Sequence, residues 1–136
     1  MIDLSNGQTD SQLEDVCLYK NIDLTGIYMI NDFDFNKNGN YILNLDNDDR
    51  GGTHWVACII NNKYIFYFDS FGYKPPEIIK SKLKKKLFYN NIQFQNIEEK
   101  NCGIYCVLFL KVCQSVNSLS KFNTLLESMK NIKIFF

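Results

Sequence analysis

The sequence predicts an α+β fold in which a small mixed β-sheet packs against helices. Strand-like apolar runs fill the middle of the chain, and runs with helical spacing lie on either side of them. With 136 residues, 46% of them hydrophobic, the chain is long enough to bury a core of its own. We therefore expect one domain that spans residues 1–136.

A short amphipathic helix is predicted near the start of the chain. Residues 11–19 place three apolar side chains on one side at helical spacing, namely Leu13, Val16 and Cys17. The rest of the first 39 residues is polar, and no other element is predicted there.

Strands are predicted next, two of them joined by a tight turn. Residues 41–45 and 54–60 are apolar and strand-like, with a polar loop between them. A third apolar run, 64–68, follows Asn61-Asn62, and asparagine tolerates the positive φ angles that a tight turn requires. We therefore expect 54–60 and 64–68 to form a β-hairpin.

The lysine-rich segment after the hairpin is predicted to be a helix. Pro75-Pro76 suits its first turn, and residues 77–88 carry apolar side chains at helical spacing. These side chains are Ile78, Ile79, Leu83 and Leu87. The lysines lie on the other face.

The last part of the chain is predicted to hold one strand and two helices. A short strand at 92–95 leads into a strongly apolar helix over 102–116. A final helix extends through Lys130, and Ser118 or Ser120 caps it.

Charge and cysteine content exclude several function classes. Lys+Arg and Asp+Glu balance at 15 each, so the electrostatic pattern of a dedicated nucleic-acid binder is missing. No apolar run approaches the roughly 20 residues of a membrane span, and residues 1–20 lack a signal-peptide pattern, so a soluble, unsecreted protein is expected. Five irregularly spaced cysteines and one histidine argue against a disulfide framework and a zinc cluster. No metal or other cofactor is expected.

Three residues stand in an order that suits nucleophilic catalysis. His54, the only histidine, begins one strand of the predicted hairpin, and Asp69 ends the other, so their side chains can meet at one sheet edge. Cys102 begins the apolar helix, where the helix dipole and a neighbouring imidazolium favour a thiolate. Thiolate, base and orienting carboxylate are the groups that acyl transfer requires. The structural alternatives are a core histidine, a turn-capping aspartate and a buried cysteine, and the last suits Cys106 and Cys113 better.

A glutamine before the apolar helix could complete an oxyanion hole. Gln95 could donate its side-chain amide beside the backbone N–H of Cys102. Gln93 is a competing donor, because a period of two puts both glutamines on one face of the predicted strand. Spacing alone does not separate the two, and a surface role for Gln95 also stays open.

Three segments of the chain resemble the adenain-like viral cysteine proteases. They are residues 44–55 (NLDNDDRGGTHW), 68–72 (FDSFG) and 95–106 (QNIEEKNCGIYC). The family includes proteases of adenoviruses, Maverick/Polinton elements and virophages, within the superfamily of ubiquitin-like-protein proteases. The resemblance implies a papain-like cysteine protease core. It implies these roles: His54 as base, Asp69 as orienting acid, Gln95 as oxyanion donor and Cys102 as nucleophile.

The resemblance also implies a substrate class. It indicates a cysteine endopeptidase, acting as a monomer in the virion and infected cell, that cuts viral capsid or core precursors at Gly-containing sites. A narrow cleft near Gly51, Gly52 and Trp55 would admit little beyond glycine. The alternatives are a deubiquitinase or ubiquitin-like-protein protease that cuts after Gly-Gly, and a catalytically silent binding module with the same fold.

Two properties of the family enzyme transfer less readily. It is activated by a peptide that bonds to a cysteine between its acid and glutamine, but this chain has no cysteine between Asp69 and Gln95, so disulfide-linked activation is not expected. It also binds DNA. Five lysines could give this chain a weak, non-specific phosphate contact, although a solvated face is the favoured interpretation. They are Lys80, Lys82, Lys84, Lys85 and Lys86.

Overall fold

A five-stranded mixed sheet and three helices make up the part of the chain that the computed structural model describes, residues 7–45, 54–95 and 101–130. The strands are β1 (Gly26–Met29), β2 (Gly39–Asn44), β3 (Trp55–Ile60), β4 (Tyr64–Phe68) and β5 (Lys86–Tyr89). The helices are α1 (Asp10–Tyr19), α2 (Cys102–Val112) and α3 (Leu119–Lys130). The predicted α+β fold, with a small mixed sheet packed against helices, is confirmed.

The strands lie in the sheet in their chain order. β3 is central and pairs antiparallel with β2 and β4, while β1 and β5 pair parallel at the two edges. Every residue of β3 is buried, because both faces of the sheet are covered. The antiparallel centre places the start of β3 and the end of β4 at the same edge of the sheet.

The helices cover one face of the sheet and build the larger core cluster there. Ala57 and Ile59 of β3 face this side, and Phe68 of β4 stacks on Phe109 of α2 with ring centroids 4.8 Å apart. A second cluster on the opposite face gathers Val56 and other alternate strand residues under the segment that follows β1. Successive side chains of a strand therefore pack into two cores, one on each face of the sheet. On one of these faces, α2 packs against the centre of the sheet.

The predicted hairpin forms, but its turn works differently from the prediction. Asn21 is the one non-glycine residue with a positive φ in the described ranges, so the turn after β3 does not use that conformation. Instead, the Asn61 side-chain oxygen accepts hydrogen bonds from the backbone N–H groups of Lys63 and Tyr64, at 2.9 and 2.8 Å. Asn61 therefore stabilises the turn as a hydrogen-bond acceptor.

The helix predicted over 77–88 is wrong. The segment forms a 3₁₀-helix at Glu77–Lys82 and then β5, whose backbone pairs with β4. Ile78 is 67% exposed, so the helical spacing of the apolar residues does not produce one buried face. Phe88 instead lies against Phe66 of β4, with ring centroids 5.8 Å apart.

The lysines of this segment consequently do not share a helix. Lys85 donates to two backbone oxygens, those of Asn36 at 3.1 Å and Asn61 at 2.8 Å, and to the Asn38 side chain at 2.8 Å. Lys82 donates to the backbone oxygen of Asn31. Two of the five lysines therefore tie the edge of the sheet to neighbouring loops.

Two other short elements also differ from expectation. The strand predicted at 92–95 is irregular chain, because the N–H groups of Phe94 and Gln95 both donate to the backbone oxygen of Ser70. β1 was not predicted, since it has four residues and only partial burial. The apolar helix α2 ends at Val112 rather than at residue 116, and Ser118 caps α3 by accepting from the N–H of Lys121.

In the ranges given above, no helix combines the length and apolar character needed to cross a membrane.

Candidate active site

His54 and Asp69 meet at one edge of the sheet. His54 directly precedes β3 and Asp69 directly follows β4, and the His54 Nε2 lies 2.9 Å from the Asp69 Oδ1. Because a carboxylate only accepts, Nε2 carries the proton of this hydrogen bond. The pairing of these two side chains, which the sequence order predicts, is present in the structure.

Asp69 is buried, and both its carboxylate and its backbone make hydrogen bonds. Its Oδ1 also accepts from the backbone N–H of Phe71 at 2.8 Å. The Asn90 side chain accepts from the Asp69 N–H at 2.9 Å and donates to the Asp69 backbone oxygen at 2.7 Å. The acid is therefore fixed in both side chain and backbone, which fixes the imidazole that it binds.

Cys102 reaches the same imidazole from the helix side. It is the first residue of α2, and its Sγ accepts from the backbone N–H of Trp55 at 3.4 Å. Trp55 directly follows His54, so this bond places the thiol beside the histidine. Interaction with Cys102 is also one of the causes that raise the pKa of His54. Acid, imidazole and thiol therefore lie together where the sheet edge meets the start of α2.

The surroundings of His54 alter its proton affinity. Burial by itself lowers the pKa of the imidazole, but its hydrogen bond to the Asp69 carboxylate and its interactions with Asp69 and Cys102 outweigh burial. The result raises the pKa of His54 from 6.5 to about 9. The raised pKa favours the imidazolium form of the ring at neutral pH.

Phe71 is part of the site, although the sequence analysis gave it no role. Its ring stacks on the His54 imidazole with centroids 4.9 Å apart and an angle of 21° between the planes. Together with its N–H bond to Asp69, this places one residue against both members of the pair. The signal was its place in the FDSFG segment, two residues after the acid.

The structure separates the two candidate glutamines. Gln95 is 1% exposed, and its Oε1 accepts from the Ser70 hydroxyl, whereas Gln93 is exposed. The Gln93 side chain donates to the backbone oxygen of Gln95 at 2.8 Å. The assumption of period two was wrong, because this segment is not a strand. Burial favours Gln95 as the donor.

Of the three residues predicted to bind substrate, the structure describes only Trp55. Gly51 and Gly52 lie outside the described residues. Trp55 is buried beside His54, and its indole N–H donates to the backbone oxygen of Gln8 at 2.9 Å. It lines a cavity of about 390 Å³ whose other walls include Tyr28 and Asn44.

Gln8 joins the sheet side and the helix side of the site. Besides accepting from the Trp55 indole, it accepts through its side chain from the N–H of Gly103 at 3.0 Å. Each bond reaches the residue that follows a predicted catalytic residue, His54 or Cys102. No sequence pattern marked Gln8, because both partners are distant along the chain.

The other four cysteines belong to the core. Burial raises the pKa of the Cys17 thiol to about 11 and that of Cys113 to about 12. Burial also raises the pKa of Cys58 and Cys106, the latter helped by the charges of Cys102 and Asp69. The core role expected for Cys106 and Cys113 is confirmed.

Comparison with known proteins places viral proteases among the relatives of this chain. A search against models of protein families finds no match. The chain is 31% identical over 88 residues to a protease of bovine adenovirus C serotype 10. It is 35% identical over 88 residues to a putative thiol protease of Acanthamoeba polyphaga mimivirus.

These matches cover about half of this chain and a smaller part of the relatives. They include 51% and 52% of the chain, but 45% of the adenovirus protein and 29% of the mimivirus protein. Among solved structures, the ASFV pS273R protease is similar, with a TM-score of 0.49 and 15% identity over 95% of this chain and 65% of that one. The resemblance to viral cysteine proteases is confirmed.

Proposed function

We propose that this chain is a cysteine endopeptidase. In it, Cys102 is the nucleophile, His54 the general acid and base, Asp69 the orienting acid and Gln95 an oxyanion donor. The observation that carries the proposal is the bond between the buried Asp69 carboxylate and the His54 imidazole, next to Cys102 at a helix N-terminus. The Cys102 sulfur accepts from the backbone N–H of Trp55, the residue after His54. This is the set of groups that thiol-based acyl transfer uses.

The acylation step follows from these positions. The Cys102 thiolate attacks the carbonyl carbon of the scissile bond, and the carbonyl electron pair moves to oxygen. The Gln95 side-chain amide and the Cys102 backbone N–H donate to that oxyanion. The His54 imidazolium then gives its Nδ1 proton to the leaving amine as the C–N bond breaks, which leaves a thioester on Cys102.

Deacylation uses the same groups in the reverse protonation state. Neutral His54 takes a proton from water, and the resulting hydroxide attacks the thioester carbonyl. The C–S bond breaks, the acid product leaves, and the thiolate and imidazolium are restored. Asp69 accepts the Nε2 hydrogen bond throughout, so the ring keeps Nδ1 towards the sulfur.

The proposed substrates are viral capsid or core precursors cut at Gly-containing sites. Similarity to viral proteases supports this class, and the position of Trp55 beside His54 is consistent with a narrow approach to the sulfur. Weak, non-specific DNA contact is proposed only for the exposed lysines Lys80, Lys84 and Lys86.

Cleavage of defined substrates tests the proposal. We expect the purified chain to cut peptides with internal glycine sites, and Cys102→Ala to abolish cleavage while the core variant Cys17→Ala keeps it. Preferred turnover of a ubiquitin–fluorophore substrate would instead indicate a ubiquitin-like-protein protease. Absence of Cys102-dependent cleavage of both substrates would refute the proposed activity.

A further inference from the structure

Ser70 lies between two residues of the catalytic constellation and bonds to a third. It directly follows Asp69 and precedes Phe71, and it is fully buried. Its hydroxyl donates to the Gln95 Oε1 at 2.5 Å. Its backbone oxygen accepts from the N–H groups of Phe94 and Gln95, at 2.8 and 3.1 Å. One residue therefore holds the segment before α2 through three hydrogen bonds.

The hydroxyl bond holds the Gln95 carboxamide at its Oε1 end. Because Ser70 donates to Oε1 in this structure, the Nε2 donor lies on the opposite side of the carboxamide. Loss of this bond would remove one of the contacts that hold the donor in place.

We propose that Ser70 is the positioning residue of the oxyanion hole. Its hydroxyl and backbone oxygen hold Gln95 in the place from which the side-chain amide donates to the developing oxyanion. This inference rests on the proposed protease function and deepens it. Because Ser70 is adjacent to Asp69, the acid that orients the base and the group that orients the oxyanion donor are consecutive residues of one buried turn.

A double-mutant cycle separates positioning from general structural support. The variants are Ser70→Ala, Gln95→Ala and their combination, assayed on a Gly-containing peptide. We expect Ser70→Ala to lower kcat about tenfold, near the upper end for one hydrogen bond, with KM changed by less than about twofold. In the Gln95→Ala background, the same change should cost less than about twofold, because no carboxamide is left to orient.

Two controls keep the measurement specific. Iodoacetamide labelling of Cys102 forms no oxyanion, so Ser70→Ala should leave its rate within about twofold of the unmodified chain. Ser128→Ala removes a hydroxyl from the exposed side of α3 and should leave kcat unchanged. If Ser70→Ala does not fold, Ser70→Cys, which keeps a weak donor, should lower kcat only when Gln95 is present.

The outcomes distinguish failure of this inference from failure of the proposed function. An unmodified chain that cleaves no peptide refutes the protease proposal, and the role of Ser70 with it. If the Ser70→Ala variant cleaves at the normal rate, the role of Ser70 is refuted but the protease proposal is not. The same holds if Ser70→Ala lowers kcat by the same factor whether residue 95 is Gln or Ala. The role of Ser70 is supported if Ser70→Ala lowers kcat when Gln95 is present but not in the Gln95→Ala variant.

Discussion

Titration of the single histidine tests the electrostatics of the site directly. Because His54 is the only histidine in the chain, a label at ¹³Cε1 of histidine gives one resonance that needs no assignment. We expect its titration midpoint at about 9 rather than 6.5. That difference is a factor of about 300 in proton affinity, or about 3 kcal/mol of preference for the imidazolium.

Replacing the acid should reverse the direction of the effect. Asp69→Asn removes the charge that opposes burial, and burial is the largest single influence on this imidazole. We therefore expect the midpoint of Asp69→Asn at or below 6.5. Cys102→Ala removes the second group that raises the pKa, so its midpoint should fall between that of the unmodified chain and that of Asp69→Asn.

The assay is NMR over pH 5 to 10, with circular dichroism at each pH to show that the fold persists. Asp10→Asn, at the exposed start of α1, is the matched control and should leave the midpoint unchanged. A midpoint near 6.5 in the unmodified chain, or one that Asp69→Asn does not lower, would refute the reasoning.

Further predictions concern reactivity, the oxyanion and pH. Cys102 should react with iodoacetamide far faster than the other four cysteines, because only Cys102 lies at a helix N-terminus beside an imidazole, and His54→Ala should abolish that preference; equal labelling in the native chain would contradict it. Gln95→Ala should lower kcat/KM on the order of 100-fold, about 2.7 kcal/mol, against less than about fivefold for Gln93→Ala, and the reverse order would identify the wrong glutamine. Phe71→Leu should lower the His54 pKa less than Asp69→Asn does, since it removes only the stacked ring; an unchanged midpoint would exclude that role. Because the imidazolium is retained up to about pH 9, kcat/KM should decline above that pH, and a rate that still rises at pH 10 would contradict it.

The sequence was informative where function depends on order along the chain. The apolar runs on either side of Asn61 predict the hairpin, and the hairpin brings His54 and Asp69 to one edge. Cys102 could be placed because a long apolar helix begins with it. These features are local or need only one strand pairing.

The features that sequence could not provide depend on distant partners. β5 forms because its backbone pairs with β4, although the spacing of its apolar residues favours a helix. The choice of Gln95 over Gln93 depends on Ser70, 25 residues earlier, and Gln8 binds Gly103 across 95 residues. Periodicity within a short window contains no information on such contacts.

The Lys85 side chain has a consequence for how the sheet edge responds to salt. Its ammonium donates three hydrogen bonds, and all three acceptors are neutral oxygens, on Asn36, Asn38 and Asn61. Dissolved ions weaken an exposed ion pair by screening its opposite charges, but in the described ranges no carboxylate pairs with Lys85. The hydrogen bonds between Lys85, next to β5, and the neighbouring loops should therefore persist at high ionic strength. They should be lost when acetylation of Lys85 removes its charge and two of its three N–H donors.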